Sequence, residues 1–213
     1  EIFYVGRGGE ERVARTFADL FSRVNRVTPK SLSTEVIRDV KAVREVIEDQ
    51  PVQQGKLSMS FRTGLTEADG GRAVMLMLND IYGSGPVSKL FMNVREKMSL
   101  CYSIGSGYYG AKGIVTVSAG IDAQQEDTVR AEILRQLDAC RSGEITDEEL
   151  LSAKQSLISQ LRATHDSPAA IEGYYATAAI SGLAWTPQQY AEHVAAVTAQ
   201  DVAQAATRLQ LHT

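Results

Sequence analysis

Apolar and polar positions alternate with period two in a few short places along the chain, and with the period of a helix over most of the rest. The cleanest alternation is residues 56–63, where Leu57, Met59 and Phe61 interleave with Ser58, Ser60 and Arg62. Successive side chains of a strand point to opposite faces, so this stretch reads as a strand with one buried face. Residues 102–109 and 114–119 read as two further strands, antiparallel and joined around Gly110 and Gly113. Their many glycines imply close approach by another backbone or a ligand. A short apolar run at residues 2–5, closed by Gly6, reads as one more strand.

Helical periodicity begins after Gly8 and Gly9, where Val13, Phe17, Leu20, Phe21 and Val24 share one face. Residues 73–82 are apolar nearly all round, which predicts a helix buried in the core and stopped by Gly83 and Gly85 before Pro86. Residues 87–98 follow as a helix with Leu90, Phe91 and Val94 inward. Asp122 and Gln125 are placed to cap a helix that ends near Gly143, and Thr146 with Glu149 forms a capping box for the next. Pro168 interrupts that pattern, residues 169–181 resume it, Thr186-Pro187 opens another helix, and Thr198 with Asp201 caps the last. Residues 28–54 hold no sustained period and read as a linker. The sum is an α+β fold, with an antiparallel or mixed sheet covered on one face by helices.

Composition narrows the functions this fold could serve. At 213 residues, 44% hydrophobic and 23% charged, the chain buries a sizeable core. The net charge of −4, with basic residues scattered among acidic ones, gives no footprint for nucleic acid. No apolar run approaches the roughly 20 residues that cross a bilayer, and the opening EIFYVG lacks the basic region of a signal peptide, so no membrane partner is expected. Two cysteines, Cys101 and Cys140, form no disulfide framework and point to a reducing cytoplasm.

Searching the sequence for chemistry removes most classes. His165, His193 and His212 lie far apart, no HxxEH occurs, and neither cysteine has a partner at ligand spacing, so no metal site is expected in this chain. The GSGPVSK stretch resembles a phosphate loop only superficially, because Ser88 precedes Lys89 and Leu90 follows it where the loop needs glycine and a hydroxyl. No GxSxG is present, and the acidic pairs Glu10-Glu11 and Glu148-Glu149 sit in first helical turns, where the helix dipole accounts for them. Arg95 and Tyr102, seven residues apart, remain. An arginine fork and a tyrosine hydroxyl at a strand start suit a peptide backbone and the oxyanion formed from its carbonyl. Local sequence leaves the alternative open that Arg95 pairs with an acid on a helix surface and Tyr102 fills core.

The stretch SKLFMNVREKMSLCYSIGS, with its Arg-to-Tyr spacing, resembles the signature of the C-terminal half-domain of the insulinase-like (M16) zinc peptidases, the pitrilysin and mitochondrial processing peptidase group. Gln54-Gly55-Lys56-Leu57, Gly113 and the run from Val197 to Val202 support the resemblance, which covers essentially the whole chain. It implies a half-domain of the LuxS/MPP-like metallohydrolase fold, paired with a similar half or a catalytic paralogue into a clamshell around an unfolded peptide. The other half would supply zinc and the general base; this one would supply Arg95 to orient the backbone and Tyr102 to hold the scissile carbonyl. By the same resemblance, residues 1–27 close a preceding half-domain, 28–54 link the halves, and 55–213 form the C-terminal half without its final strand. Residues 2–5 are then expected to take that strand's place, here or in a neighbouring molecule. EDQPVQQGKL, residues 48–57, is most similar to bacterial members that lack HxxEH and act as inactive partners. A third implied role is a structural or assembly subunit without proteolysis.

Overall fold

A computed structural model describes residues 2–25, 27 and 35–213 of the chain. Helix α1 (Glu10–Ser22) precedes strand β1 (Gly55–Arg62), helix α2 (Arg72–Asn79) and the hairpin of β2 (Cys101–Tyr109) and β3 (Ile114–Ile121). Helices α3 (Glu126–Arg141), α4 (Asp147–Ala163), α5 (Pro168–Ser181), α6 (Pro187–Ala196) and α7 (Ala199–Ala206) follow, and the chain closes with β4 (Gln210–Leu211). The four strands lie in the order β2-β3-β1-β4, and every pairing is antiparallel. The α+β architecture expected from periodicity is the one observed.

Alternation decides which face of the sheet is covered. Met59 and Phe61 of β1 and Val115, Val117, Ala119 and Ile121 of β3 are buried in one core with Met75, Met77 and Leu78 of α2 and Ile133 and Leu137 of α3. The opposite face carries Ser58, Ser60, Thr116, Ser118, Gly105 and Gly107, small residues that leave it flat and polar. Capping boxes at Thr146/Glu149, Thr186/Gln189 and Thr198/Asp201 start α4, α6 and α7. Pro168 and Pro187 sit in the first turns of α5 and α6, where their missing N–H costs nothing.

Two expectations change. Residues 2–5 form no strand and pair with no part of the sheet; that stretch turns back toward α1, with the Gly8 N–H donating to the Tyr4 hydroxyl at 3.1 Å. The fourth place in the sheet is taken instead by the end of the chain, where Leu211 pairs with Phe61 and the Ser60 N–H donates to the Thr213 carbonyl at 2.7 Å. Leu209 just before it is buried and anchors the segment, whereas an apolar run alone carries no partner edge.

The described part of the linker is irregular but tied down. Arg38 Nη1 donates to the Gly64 carbonyl at 2.8 Å and pairs with Asp69 at 2.9 Å, holding the Asp69 carboxyl down at about 2. The Arg44 N–H donates to the His212 carbonyl at 2.8 Å, and Glu45 meets Arg130 of α3 at 2.6 Å. Residues 28–34 of the expected linker lie outside the described residues.

Gly113 closes the β2–β3 turn at φ +60°, and a Cβ there would overlap the Leu65 carbonyl oxygen. Gly113→Ala is expected to destabilise the fold by at least about 2 kcal/mol, from left-handed strain plus the clash. Urea denaturation measures it, and a loss below a few tenths would contradict the geometry.

Candidate functional site

Arg95 and Tyr102 are brought to the start of β2 by three uncommon backbone devices in sequence. The helix that carries Arg95, Leu90–Lys97, is π-helical, as is the preceding segment Asp80–Ser84. Such wide turns are rare and recur at functional sites. At the helix end the Met98 N–H donates to the Asn93 carbonyl and the Ser99 N–H to the Arg95 carbonyl, each at 3.1 Å. Ser99 adopts φ +53°, the one non-glycine residue with positive φ among the described residues.

The third device is a β-bulge. Cys101 opposes Ile121 and Ser103 opposes Gly120, so Tyr102 is an extra residue in β2. Strict alternation would put Tyr102 on the covered face with Ile104 and Tyr108; the bulge removes it from the ladder, and its residue is 67% exposed. The alternative in which Tyr102 fills core is thereby excluded.

Arg95 is partly exposed, with 41% of its side chain in solvent. Its guanidinium lies over the Phe91 ring at 4.9 Å and pairs with Glu96 at 3.4 Å. That pair is the surface contact local sequence left open, but it is between sequence neighbours at the surface and holds the arginine only weakly. Stacking on Phe91 gives the planar fork a fixed platform while leaving its edge free to donate. No hydrogen bond joins Arg95 to Tyr102. Burial pushes the Cys101 thiol up, and the Arg95 charge draws it part of the way back.

A shallow groove borders this site, lined by Gly83, Gly85, Phe91, Ser103, Gly105 and Gly107. Its rim is set by Asn79, whose amide donates to Ser84 Oγ at 2.9 Å and whose Oδ1 accepts from Ser106 Oγ at 2.9 Å. A Cβ at Gly85 would overlap the Asp80 carboxyl, so this turn is closed by glycine against a buried acid. The sequence offered glycines here but no sign of Asp80's burial, because a single acidic residue within an apolar helical run does not reveal whether its carboxyl reaches solvent.

Metal binding has no support in these residues. Among the described residues no three His, Cys, Asp or Glu side chains cluster in a way that could hold an ion. His193 stacks on Trp185 at 3.8 Å and His212 Nδ1 accepts from Arg62 Nε at 3.3 Å. Cys140 is buried and its thiol is pushed up to about 12, mainly by desolvation. Cys101 and Cys140 are both free thiols.

Residues 1–157 match the model of the Peptidase M16 inactive domain. Over 170 residues the chain is 28% identical to a protein of Bacillus subtilis (strain 168) described as the probable inactive metalloprotease YmfF, covering 80% of this chain and 40% of that one. A conserved protein of Enterococcus faecalis V583 superposes with a TM-score of 0.78 at 28% identity, over 96% of this chain and 48% of the other. A protease of Helicobacter pylori superposes at 0.82 with 18% identity, over 96% of this chain and 50% of the other. The chain therefore spans about half the length of the proteins it resembles.

Two outcomes test the local physics of the site. Ser99→Gly is expected to be neutral or mildly stabilising, whereas Ser99→Val should cost about 1–2 kcal/mol in urea denaturation; equal effects would mean the left-handed turn does not form. Burial raises the Asp80 carboxyl from 3.8 to about 6. A raised folded-state value gives a contribution complete below about pH 4 that is lost as pH rises through about 6. Asp80→Asn should therefore raise the thermal midpoint near pH 8 by several degrees while changing it little near pH 4, and no gain near pH 8 would refute the burial.

Proposed function

Because the chain belongs to the family of M16 peptidase inactive domains, we propose that it is the substrate-holding half of a two-half chamber around an unfolded peptide. Residues 1–27 complete the preceding half-domain, residues 28–54 join the halves, and residues 55–213 form this one. Arg95 donates to peptide carbonyls from its platform on Phe91. Tyr102 donates to the carbonyl under attack and to the oxyanion that replaces it. Zinc and the general base come from the other half, and the polar, small-residue face of the sheet forms part of the chamber wall.

The observation that carries this reading is the bulge that turns Tyr102 out into solvent, at the start of the strand that follows the helix on which Arg95 is stacked and partly exposed. A large aromatic removed from the core serves no packing purpose, and the Arg95 guanidinium, held by Phe91 and a surface pair with Glu96, stays partly open to solvent. The flat sheet face fits an extended backbone of varied sequence better than it fits one side chain. The free cysteines fit a reducing compartment, so we place the protein in the cytoplasm.

A second reading is the non-catalytic partner of a two-chain peptidase, favoured by the likeness to a relative described as a probable inactive metalloprotease. Metal content of the full-length protein separates the two. One zinc per chain supports a peptidase in a single chain; no zinc, with cleavage appearing only when a paralogue is added, supports the partner role.

Either reading predicts the same peptide contacts. In the full-length protein, Arg95→Ala is expected to weaken binding of an unstructured peptide by about 10- to 100-fold, the loss of a charge-assisted hydrogen bond. Tyr102→Phe should lower turnover of the assembled enzyme by on the order of 10²-fold. Fluorescence anisotropy and peptide cleavage measure these, and unchanged values for both variants remove the assignment.

A further inference from the structure

The helix carrying Arg95 is joined to the rest of the domain by buried polar contacts that the peptide site itself does not use. At its start, the Lys89 ammonium, 7% exposed as a side chain, meets Glu149 of α4 at 2.9 Å and also donates to the Glu144 carbonyl. Midway, Asn93 Nδ2 donates to Gln136 Oε1 of α3 at 2.8 Å, and Gln136 Nε2 donates to Glu132 Oε1 at 2.5 Å. Arg135 holds the same carboxylate at 2.6 and 2.8 Å, and Lys97 Nζ donates to Asn93 Oδ1 at 2.9 Å. Gln136 is 2% exposed and Glu132 7%.

This chain has a direction. An ionised carboxylate only accepts hydrogen bonds, so Glu132 takes the amino group of Gln136. That turns Gln136 Oε1 toward the Arg95 helix, where it accepts the amino group of Asn93. Asn93 Oδ1 is then left facing outward, where Lys97 donates to it. One carboxylate on α3 thus sets both amides and, through them, the rotation of a π-helical segment. Arg95 lies two residues beyond Asn93, so any rotation about the helix axis moves its guanidinium directly.

Resting on the reading of Arg95 as the peptide-gripping residue, we infer that Gln136, seated on Glu132, is a positioning residue for Arg95. It touches no peptide. It fixes the angle at which the Arg95 fork meets one.

A double-mutant cycle in the full-length protein tests this, with a fluorescein-labelled, unstructured 20-residue peptide as the probe. Gln136→Leu is expected to weaken binding about fivefold or more when Arg95 is present and to change it little in an Arg95→Ala background. Equal weakening in both backgrounds overturns the inference. Exchanging the pair, Glu132→Gln with Gln136→Glu, keeps an acceptor facing Asn93 and is expected to restore most of the affinity; failure to restore it overturns the directional relay. If Arg95→Ala alone leaves binding unchanged, the reading of Arg95 has failed, and amide hydrogen exchange over residues 94–100 becomes the measure. Faster exchange in Gln136→Leu then supports positioning of the helix, and unchanged exchange rejects it.

Discussion

The structure depends on one asymmetry, that the sheet buries only one of its faces. Val115, Val117, Ala119 and Ile121 of β3, with Met59 and Phe61 of β1, fix the register because a slip of one residue would expose all of them. The same alternation sends serine, threonine and glycine to the other side. Helices α2, α3 and α7 crowd the covered face, and the flat face stays open beside the Arg95 helix. Strand burial and an accessible polar wall are two results of one period.

Much of this was legible before the structure. β1 and the hairpin announce themselves through alternation, and the helix starts through Thr146/Glu149 and Thr198/Asp201, whose side chains satisfy first-turn N–H groups wherever they occur. Arg95 and Tyr102 were legible as residues but not as a site. Their setting rests on a π-helix, which shares its apolar spacing with an α-helix, and on a bulge, which leaves no trace in composition. β4 spans two residues, too short for any period. Residues 2–5 had the propensity of a strand but no edge to pair with, and strand propensity without a partner decides little. The linker lacked a pattern because backbone and charge contacts at Arg38, Arg44 and Glu45 hold it, not an apolar stripe.

The polar groups within the core divide into two kinds. Lys89, Glu132 and Gln136 are buried and satisfied, and they tie the helix Leu90–Lys97 to α3 and α4. Asp80 is buried with no cationic partner, beside a glycine turn at the edge of the groove. In the first kind the pairing offsets the desolvation of each group. The second is a standing penalty on the folded state at neutral pH, set at the edge of the groove.

The bulge at Tyr102 also changes what kind of change the chain can accept over time. Substitutions between Arg95 and Tyr102 alter chemistry one side chain at a time. A deletion of one residue there would absorb the bulge, restore strict alternation, and turn the tyrosine inward under the helices. An insertion would lengthen the turn at Ser99 and part the pair. The spacing of seven is therefore a constraint on length before it is one on identity, and indels in this segment should be far rarer among functional relatives than replacements.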